Sequence, residues 1–125
     1  MDGYKVTIDN TSKEFSAKER VAIKNTSNAT KLDEVVSVDC PLVFTPVAYA
    51  VLDVHNERSE NKDYNLYVFI DEGGNQYVTG SNSFFDAFIQ IWDEMSGTDE
   101  AYSIKVFKKP SRNYNGKYFL TCVIV

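Results

Sequence analysis

The sequence has little of the chemistry that enzymes and metal proteins commonly use. Its 125 residues include one histidine and two cysteines, Cys40 and Cys122, which stand far apart with no CxxC pattern. Because metal sites need clusters of such ligands, this scarcity argues against a bound metal. We predict two buried thiols in a reducing cytoplasm rather than a disulfide.

Long apolar runs are also missing. The longest run is far shorter than the roughly 20 residues of a membrane helix. The first residues show no basic start followed by an apolar stretch, so we expect no secretory signal and a cytoplasmic location. Hydrophobic residues make up 43% and charged residues 25% of the chain, as in a soluble globular protein, and its length predicts a single domain over residues 1–125.

No catalytic pattern stands out in the sequence. Asp53 and His55 fall on one side of a predicted strand with no nucleophile near them, so we interpret His55 as an ordinary surface histidine. The Gly73–Gly74 pair lacks the Lys-Ser/Thr of a phosphate loop, and Asp71–Asn75 lacks the ligand spacing of an EF-hand. We therefore expect no enzyme activity, no cofactor and no metal.

The charges are segregated along the chain. Residues 33–102 contain fourteen acidic residues against Arg58 and Lys62, a net charge of −12, whereas residues 103–125 contain five basic residues and no acidic one. The whole chain has a net charge of −5. A basic stretch on an acidic chain suggests a surface that meets an anionic ligand. We interpret the acidic middle as a solubilising surface or as one that weakens non-specific binding.

Alternation of apolar and polar residues with period two dominates the chain and predicts strands. Pro41 and Pro46 favour strand starts or edges. Glu72–Asn75 has the glycines of a tight turn, and Asn115–Gly116 is a hairpin signal. The predicted strands cover residues 4–8, 42–44, 47–55, 64–71, 76–79, 102–109 and 117–125.

One segment, residues 83–96, has the spacing of an amphipathic helix. Ser81 or Ser83 can cap its start, and Gly97 ends it. Residues 16–25 are ambiguous, because a Ser-x-x-Glu capping box predicts a helix there while the apolar residues alternate as in a strand.

The order of elements indicates a mostly β or α+β fold. A run of strands is followed by one amphipathic helix and then by a C-terminal β-hairpin. This order fits an OB-like antiparallel β-barrel, with its helix between the third and fourth strands, or a twisted antiparallel sheet with a packed helix.

The C-terminal hairpin combines basic and aromatic residues on one side. Cations that follow phosphates, together with rings that stack on bases, are what a single-stranded nucleic acid requires. The alternative is that the two phenylalanines belong to the core and that the lysines protect a sheet edge. The hairpin candidates are Lys105, Phe107, Lys109, Arg112, Tyr114, Lys117 and Phe119.

Residues outside the hairpin complete the predicted interface. Tyr67 and Phe69 share one side of the strand at residues 64–71, opposite an apolar side, so we expect them at the surface with Tyr49 beside them. The alternative is a strand that is buried on both faces. Lys24 is included as a further basic candidate.

Six segments follow one another along the chain in a characteristic order. They are Ser16–Asn25, Pro46–Ala50, Tyr67–Tyr77, Ser83–Met95, Tyr102–Val106 and Asn115–Phe119. The sequence of these segments and their order resemble those of the small single-stranded-DNA-binding proteins of tailed phages that infect Gram-positive bacteria.

The resemblance implies a non-catalytic protein that coats exposed single strands, without sequence readout, during phage genome replication in the host cytoplasm. It implies an OB-type fold and single-stranded DNA as the ligand, with no membrane. Phage replication proteins and further copies of the chain are its candidate partners. The chain has no long acidic C-terminal tail, so we do not expect recruitment of partners by a tail.

Two other interpretations stay open at this point. An acidic phage inhibitor could use the segment with net charge −12 to bind a host defence or nucleic-acid enzyme as a DNA mimic. A phage structural or assembly component is the weaker interpretation.

Overall fold

The computed structural model of the protein describes residues 3–111 and 116–125. Arg112 and Tyr114, which belong to the predicted interface, lie outside these residues, as does Asn115 of the predicted turn. The chain divides into two compact units, and each unit is built from two segments. Unit 1 comprises Met1–Lys31 and Val47–Gly80, and unit 2 comprises Leu32–Pro46 and Ser81–Val125. The assignment of residues 1–125 to a single domain stays a prediction.

The structure contains short helices among many strands, which confirms the mostly β, α+β class. The predicted strands are present, whereas β2 and α2 were not predicted. In chain order the elements are β1 (Tyr4–Thr11), α1 (Ala17–Lys24), a 3₁₀ turn (Thr26–Asn28), β2 (Thr30–Lys31), α2 (Leu32–Val35), β3 (Leu42–Phe44), β4 (Pro46–Asn56), β5 (Asp63–Asp71), β6 (Gln76–Thr79), α3 (Asn82–Met95), β7 (Ile104–Pro110) and β8 (Tyr118–Ile124).

Unit 1 is built on a five-stranded sheet with the order β1-β4-β5-β6-β2. Strand β1 is antiparallel to β4 and β5 is antiparallel to β6, while the short β2 runs parallel to β6. Apolar residues that alternate along β4 and β5 meet Ile23 of α1 in one core cluster. Its buried members are Ile23, Ala50, Leu52, Val54, Val68 and Val78.

Residues 17–24 form a helix, which decides the ambiguity in favour of the capping box. The Ser16 hydroxyl accepts a hydrogen bond from the Glu19 backbone N–H at 3.2 Å, and the Glu19 carboxylate accepts one from the Ser16 N–H at 2.9 Å. These bonds satisfy two N–H groups that a helix start leaves unpaired. The bond from the Ser16 N–H also lowers the pKa of Glu19, since it favours the charged carboxylate. The strand interpretation of this segment was wrong.

The turn between β5 and β6 is organised by Asp71. Its carboxylate accepts hydrogen bonds from the backbone N–H groups of Gly73 and Asn75, the Asn75 amide and the Tyr77 hydroxyl, at 2.9–3.1 Å. Gly74 has φ +84°, a left-handed conformation that glycine adopts without a steric cost. Burial alone raises the pKa of Asp71, but the four hydrogen bonds outweigh it and leave the pKa lowered.

Unit 2 combines a three-stranded sheet, of order β3-β7-β8, with helix α3 packed against β8. The Ser81 hydroxyl caps α3 by accepting from the Phe84 N–H at 3.1 Å. Phe84 and Phe88 are fully buried, and the Ser83 hydroxyl donates to the Leu120 carbonyl at 2.9 Å. The observed helix begins one residue earlier and ends one residue earlier than predicted.

Both cysteines are free, but they differ in exposure. Cys122 is buried, and burial raises the pKa of its thiol to about 12. Cys40 is exposed, so the prediction of two buried thiols was wrong for this residue. Cys40 closes the short turn Ser37–Cys40, whose end residues exchange two backbone hydrogen bonds of 3.1 Å, and Pro41 follows it. Within residues 3–111 and 116–125, no helix is long and apolar enough to span a membrane.

Candidate nucleic-acid interface

The pairing of β7 with β8 fixes which side chains share a face. The strands are antiparallel, with Lys105 opposite Val123, Phe107 opposite Thr121 and Lys109 opposite Phe119. The intervening residues Ile104, Val106, Leu120 and Cys122 are all buried. Because successive side chains of a strand point to opposite faces, the first set lies on the side away from this core.

The third strand adds one residue to this surface. Val43 of β3 lies directly opposite Lys105 and is 55% exposed. We call this side of the three-stranded sheet the outer face, and it consists of Val43, Lys105, Phe107, Lys109, Phe119, Thr121 and Val123. Lys117 precedes β8, and its carbonyl accepts from the Ser111 N–H at 2.9 Å, so the same alternation continues to Lys117.

The outer face is basic and has no acidic residue on its strands. Within the described ranges, the side chains of Lys105, Lys109 and Lys117 make no ion pair. Lys108 differs from them, since it belongs to the opposite side of β7 and donates to the Asp33 carbonyl at 3.1 Å. The three lysines are therefore available to an anionic ligand.

The two phenylalanines of the outer face are accessible to different degrees. Phe119 is 37% exposed and Phe107 is half-buried, so neither ring belongs to the buried core. Phe119 lies next to Lys109 across the strands, and directly opposed side chains have Cβ atoms about 4.5–5.5 Å apart. A ring and a cation on adjacent positions can contact a base and its phosphate together.

Tyr67 and Phe69 do not belong to a surface, and this part of the predicted interface was wrong. Tyr67 is 8% exposed and Phe69 is fully buried, although they lie on the face of β5 opposite to Val68. Tyr49 on β4 is buried as well. Both faces of this sheet are covered at these positions, so the alternative of a strand buried on both sides is the observed one.

The remaining predicted residues lie elsewhere or are not described. Lys24 is exposed at the last turn of α1 in unit 1, where a positive charge interacts favourably with the helix dipole. It does not belong to the outer face. Arg112 and Tyr114 fall between the described ranges.

Val43 and Val123 belong to the outer face but were not predicted as part of it. Val123 is 45% exposed and, with Val43, flanks Lys105 in one row across the three strands. Val123 could have been predicted on this face, because it follows Phe119 and Thr121 at every second position of β8. Val43 could not be found in this way, since its place depends on a pairing between distant segments.

His55 is engaged in a network rather than isolated. Its Nδ1 lies 2.7 Å from Asp63 Oδ1 and its Nε2 lies 2.7 Å from Glu57 Oε1. The hydrogen bond to Asp63, and to a smaller extent the one to Glu57, raises the pKa of His55, because both favour the doubly protonated ring. Lys62 contacts the other oxygen of Glu57 at 3.2 Å. The network joins the ends of β4 and β5.

A cleft of about 370 Å³ lies beside this network and is lined by residues of β1, β4 and β5. Within its lining, the Asn65 amide donates to Asp53 Oδ1 at 2.6 Å. Among the described residues, no group of three or more His, Cys, Asp or Glu side chains is arranged to hold a metal ion.

Comparisons of the chain with protein-family models, with curated proteins and with solved structures gave no match. The resemblance to phage single-stranded-DNA-binding proteins therefore stays a prediction from the sequence pattern.

Proposed function

We propose that the protein binds single-stranded DNA through the outer face of unit 2. The observation that carries the proposal is the combination of unpaired lysines with two accessible rings on a face whose strands carry no acid. Lysines neutralise phosphates without reading sequence, and aromatic rings stack on bases of any type. Such a face favours non-specific coating over recognition of one site.

The same features favour single strands over duplexes. Stacking on Phe107 and Phe119 requires base faces, which a duplex keeps inside its own stack. A duplex can therefore use the lysines but not the rings.

The chain order supports an OB-type arrangement as part of this proposal. Only Thr45 separates β3 from β4, so one run of chain contributes to both sheets. Strands β5 and β6 follow, then α3, and then the β7–β8 hairpin. A helix that comes after a run of strands and before a closing pair of strands is the feature of the OB order that supports this part of the proposal. OB domains recur among proteins that bind oligonucleotides.

The biological setting we propose is phage genome replication in the cytoplasm of an infected bacterium. There the protein coats exposed strands, protects them and prevents re-pairing. Phage replication proteins are the partners we propose for it, and it acts without catalysis, cofactor or metal.

The proposal is tested by fluorescence anisotropy of a labelled oligo-dT titrated with the full chain at low and at high salt. Trp92 is a poor reporter for this purpose, since it lies on α3 and stacks on Phe88 at 5.8 Å rather than on the outer face. We expect saturable binding that weakens with salt, and weaker binding of a duplex of equal length. No binding at either salt by the folded protein contradicts the proposal. If the protein instead captures a basic host enzyme, the DNA-mimic interpretation replaces it.

A further inference from the structure

Strand β8 forms one edge of the sheet in unit 2, and its register shows which backbone groups point outward. Ser111 pairs with Lys117 and Val125 with Ser103 through backbone hydrogen bonds, so the odd-numbered residues of β8 are bonded to β7. The N–H and C=O groups of Leu120, Cys122 and Ile124 therefore point away from β7. The hydrogen bond from the Ser83 hydroxyl to the Leu120 carbonyl agrees with this assignment.

The end of this edge beyond Leu120 lacks the features that normally protect an edge strand. Residues 118–125 contain no charged side chain and no proline. Val123, Ile124 and Val125 are 45%, 47% and 61% exposed. In the part of the chain that the structure describes, the outward backbone groups of Cys122 and Ile124 have no hydrogen-bond partner. Natural sheets protect such an edge with lysine, proline or a bulge, or else pair it.

We propose that this edge pairs with the same edge of a second copy of the chain. An antiparallel pair about a two-fold axis at Val123 places Cys122 opposite Ile124 of the second copy, and Ile124 opposite Cys122 of the second copy. Each of these pairs exchanges two backbone hydrogen bonds, and Val123 faces its own equivalent across the axis.

Charge and geometry favour a second copy over a different partner. The chain carries a net charge of −5, but the side chains of this edge are uncharged, so two copies meet here without repulsion between charged side chains. A two-fold axis perpendicular to the sheet puts the outer faces of both copies on the same side. The dimer therefore has one six-stranded sheet with a continuous outer face, joined through the Val123 pair.

The pairing involves few residues, so the dimer is expected to depend on concentration. Stable interfaces commonly bury about 1,200–2,000 Å² in total, and a short strand pair contributes less than that. The two-fold geometry nevertheless gives a sharp test. In the proposed dimer, Val123 and its equivalent form a non-hydrogen-bonded antiparallel pair. The Cα atoms of such a pair are about 4.5 Å apart, which is within the range that a disulfide spans.

The first test introduces Val123→Cys into a Cys40→Ser background, which removes the exposed native thiol. Mild oxidation should give a covalent dimer in good yield. The control is Val43→Cys in the same background, since Val43 is at least as accessible as Val123 on the outer face, at 55% against 45% exposed, but lies on another strand. Dimer formation by the Val123 variant alone supports the pairing, whereas equal yields or none overturn it.

A second test measures solution mass by light scattering across a concentration series. The parent should rise from the 14.2 kDa monomer towards twice that mass. Ile124→Pro removes an outward N–H and keeps the bonds to β7, so it should stay monomeric with an unchanged circular dichroism spectrum, while Ile124→Thr should behave as the parent. A parent that stays monomeric at every concentration overturns the inference but leaves DNA binding by the monomer intact.

Discussion

Lys109 and Phe119 lie directly opposite each other in the β7–β8 hairpin, as a hydrogen-bonded pair whose side chains both point to the outer face. This pairing brings a cation and a ring from opposite strands to one position. Neither residue alone distinguishes a binding surface from a protected edge or a core position. Together, next to Lys105 and Phe107 on the same face, they define the surface to which we assign single-stranded DNA.

Replacing the exposed ring should weaken DNA binding without unfolding the protein. For Phe119→Ala we expect a loss of about 1–3 kcal/mol in binding free energy, or roughly five- to 150-fold in Kd, since one stacked base loses its platform. Tyr118→Ala is the matched control, because Tyr118 is 52% exposed and projects from the other side of the same strand. Equal losses for the two variants in anisotropy titrations would exclude Phe119 as a platform.

Removing one lysine of the outer face should change the salt dependence of binding. Lys109→Gln removes one phosphate contact, so the slope of log K against log salt should become shallower by about 0.7 for a single strand. Lys18→Gln removes the same charge from the exposed surface of α1 and should leave the slope unchanged. Indistinguishable slopes for parent and Lys109→Gln would show that Lys109 does not contact the strand.

Asp71 does not belong to the outer face, but we expect it to contribute strongly to the stability of the fold. Asp71→Asn weakens the acceptor for four hydrogen bonds, and we expect a loss of about 1–3 kcal/mol in the free energy of unfolding by urea. Glu72→Gln, at the exposed neighbouring position, is the control and should change stability little.

The contribution of Asp71 should also depend on pH in a defined direction. Its pKa is lowered in the folded protein, so its stabilisation is present above the ordinary aspartate pKa of about 3.9 and is lost as pH falls through the folded value. The stability difference between parent and Asp71→Asn should therefore shrink in acid. A difference that is constant with pH would contradict this assignment.

The His55 network should respond to pH in the opposite direction. The pKa of His55 is raised in the folded protein, so its stabilisation is fully present below the ordinary histidine pKa of about 6.5 and is lost as pH rises through the folded value. As the chain has one histidine, its ring protons can be followed by NMR without ambiguity. Asp63→Asn should lower the observed pKa, and an unchanged midpoint would contradict the contact.

The side chains that share one face of the β7–β8 hairpin were predicted well from the sequence. The alternation of side chains along each strand and the position of the turn are enough to determine them. Lys105, Phe107 and Lys109 needed no knowledge of distant contacts. The Ser16–Glu19 capping box was likewise local information, and it indicated α1 correctly although the alternating Val21 and Ile23 suggested a strand.

The errors arose where distant parts of the chain decide the outcome. Alternation showed that Tyr67 and Phe69 oppose Val68, but it cannot show whether the second face of a strand is covered. Val43 joins the outer face through a pairing with Lys105, more than sixty residues away in the sequence. Cys40 closes a turn and is exposed, although its residue type favours burial.

The most direct test of the central claim is photo-crosslinking of the full chain to an oligo-dT that contains 5-iodouracil, followed by identification of the linked residues by mass spectrometry. Stacked rings are the sites at which such a base reacts, so we predict links to Phe119 and Phe107, and loss of the first in Phe119→Ala. Efficient crosslinks that map only to unit 1, for example to the exposed ring of Tyr4, would contradict the assignment of the outer face as the DNA-binding surface.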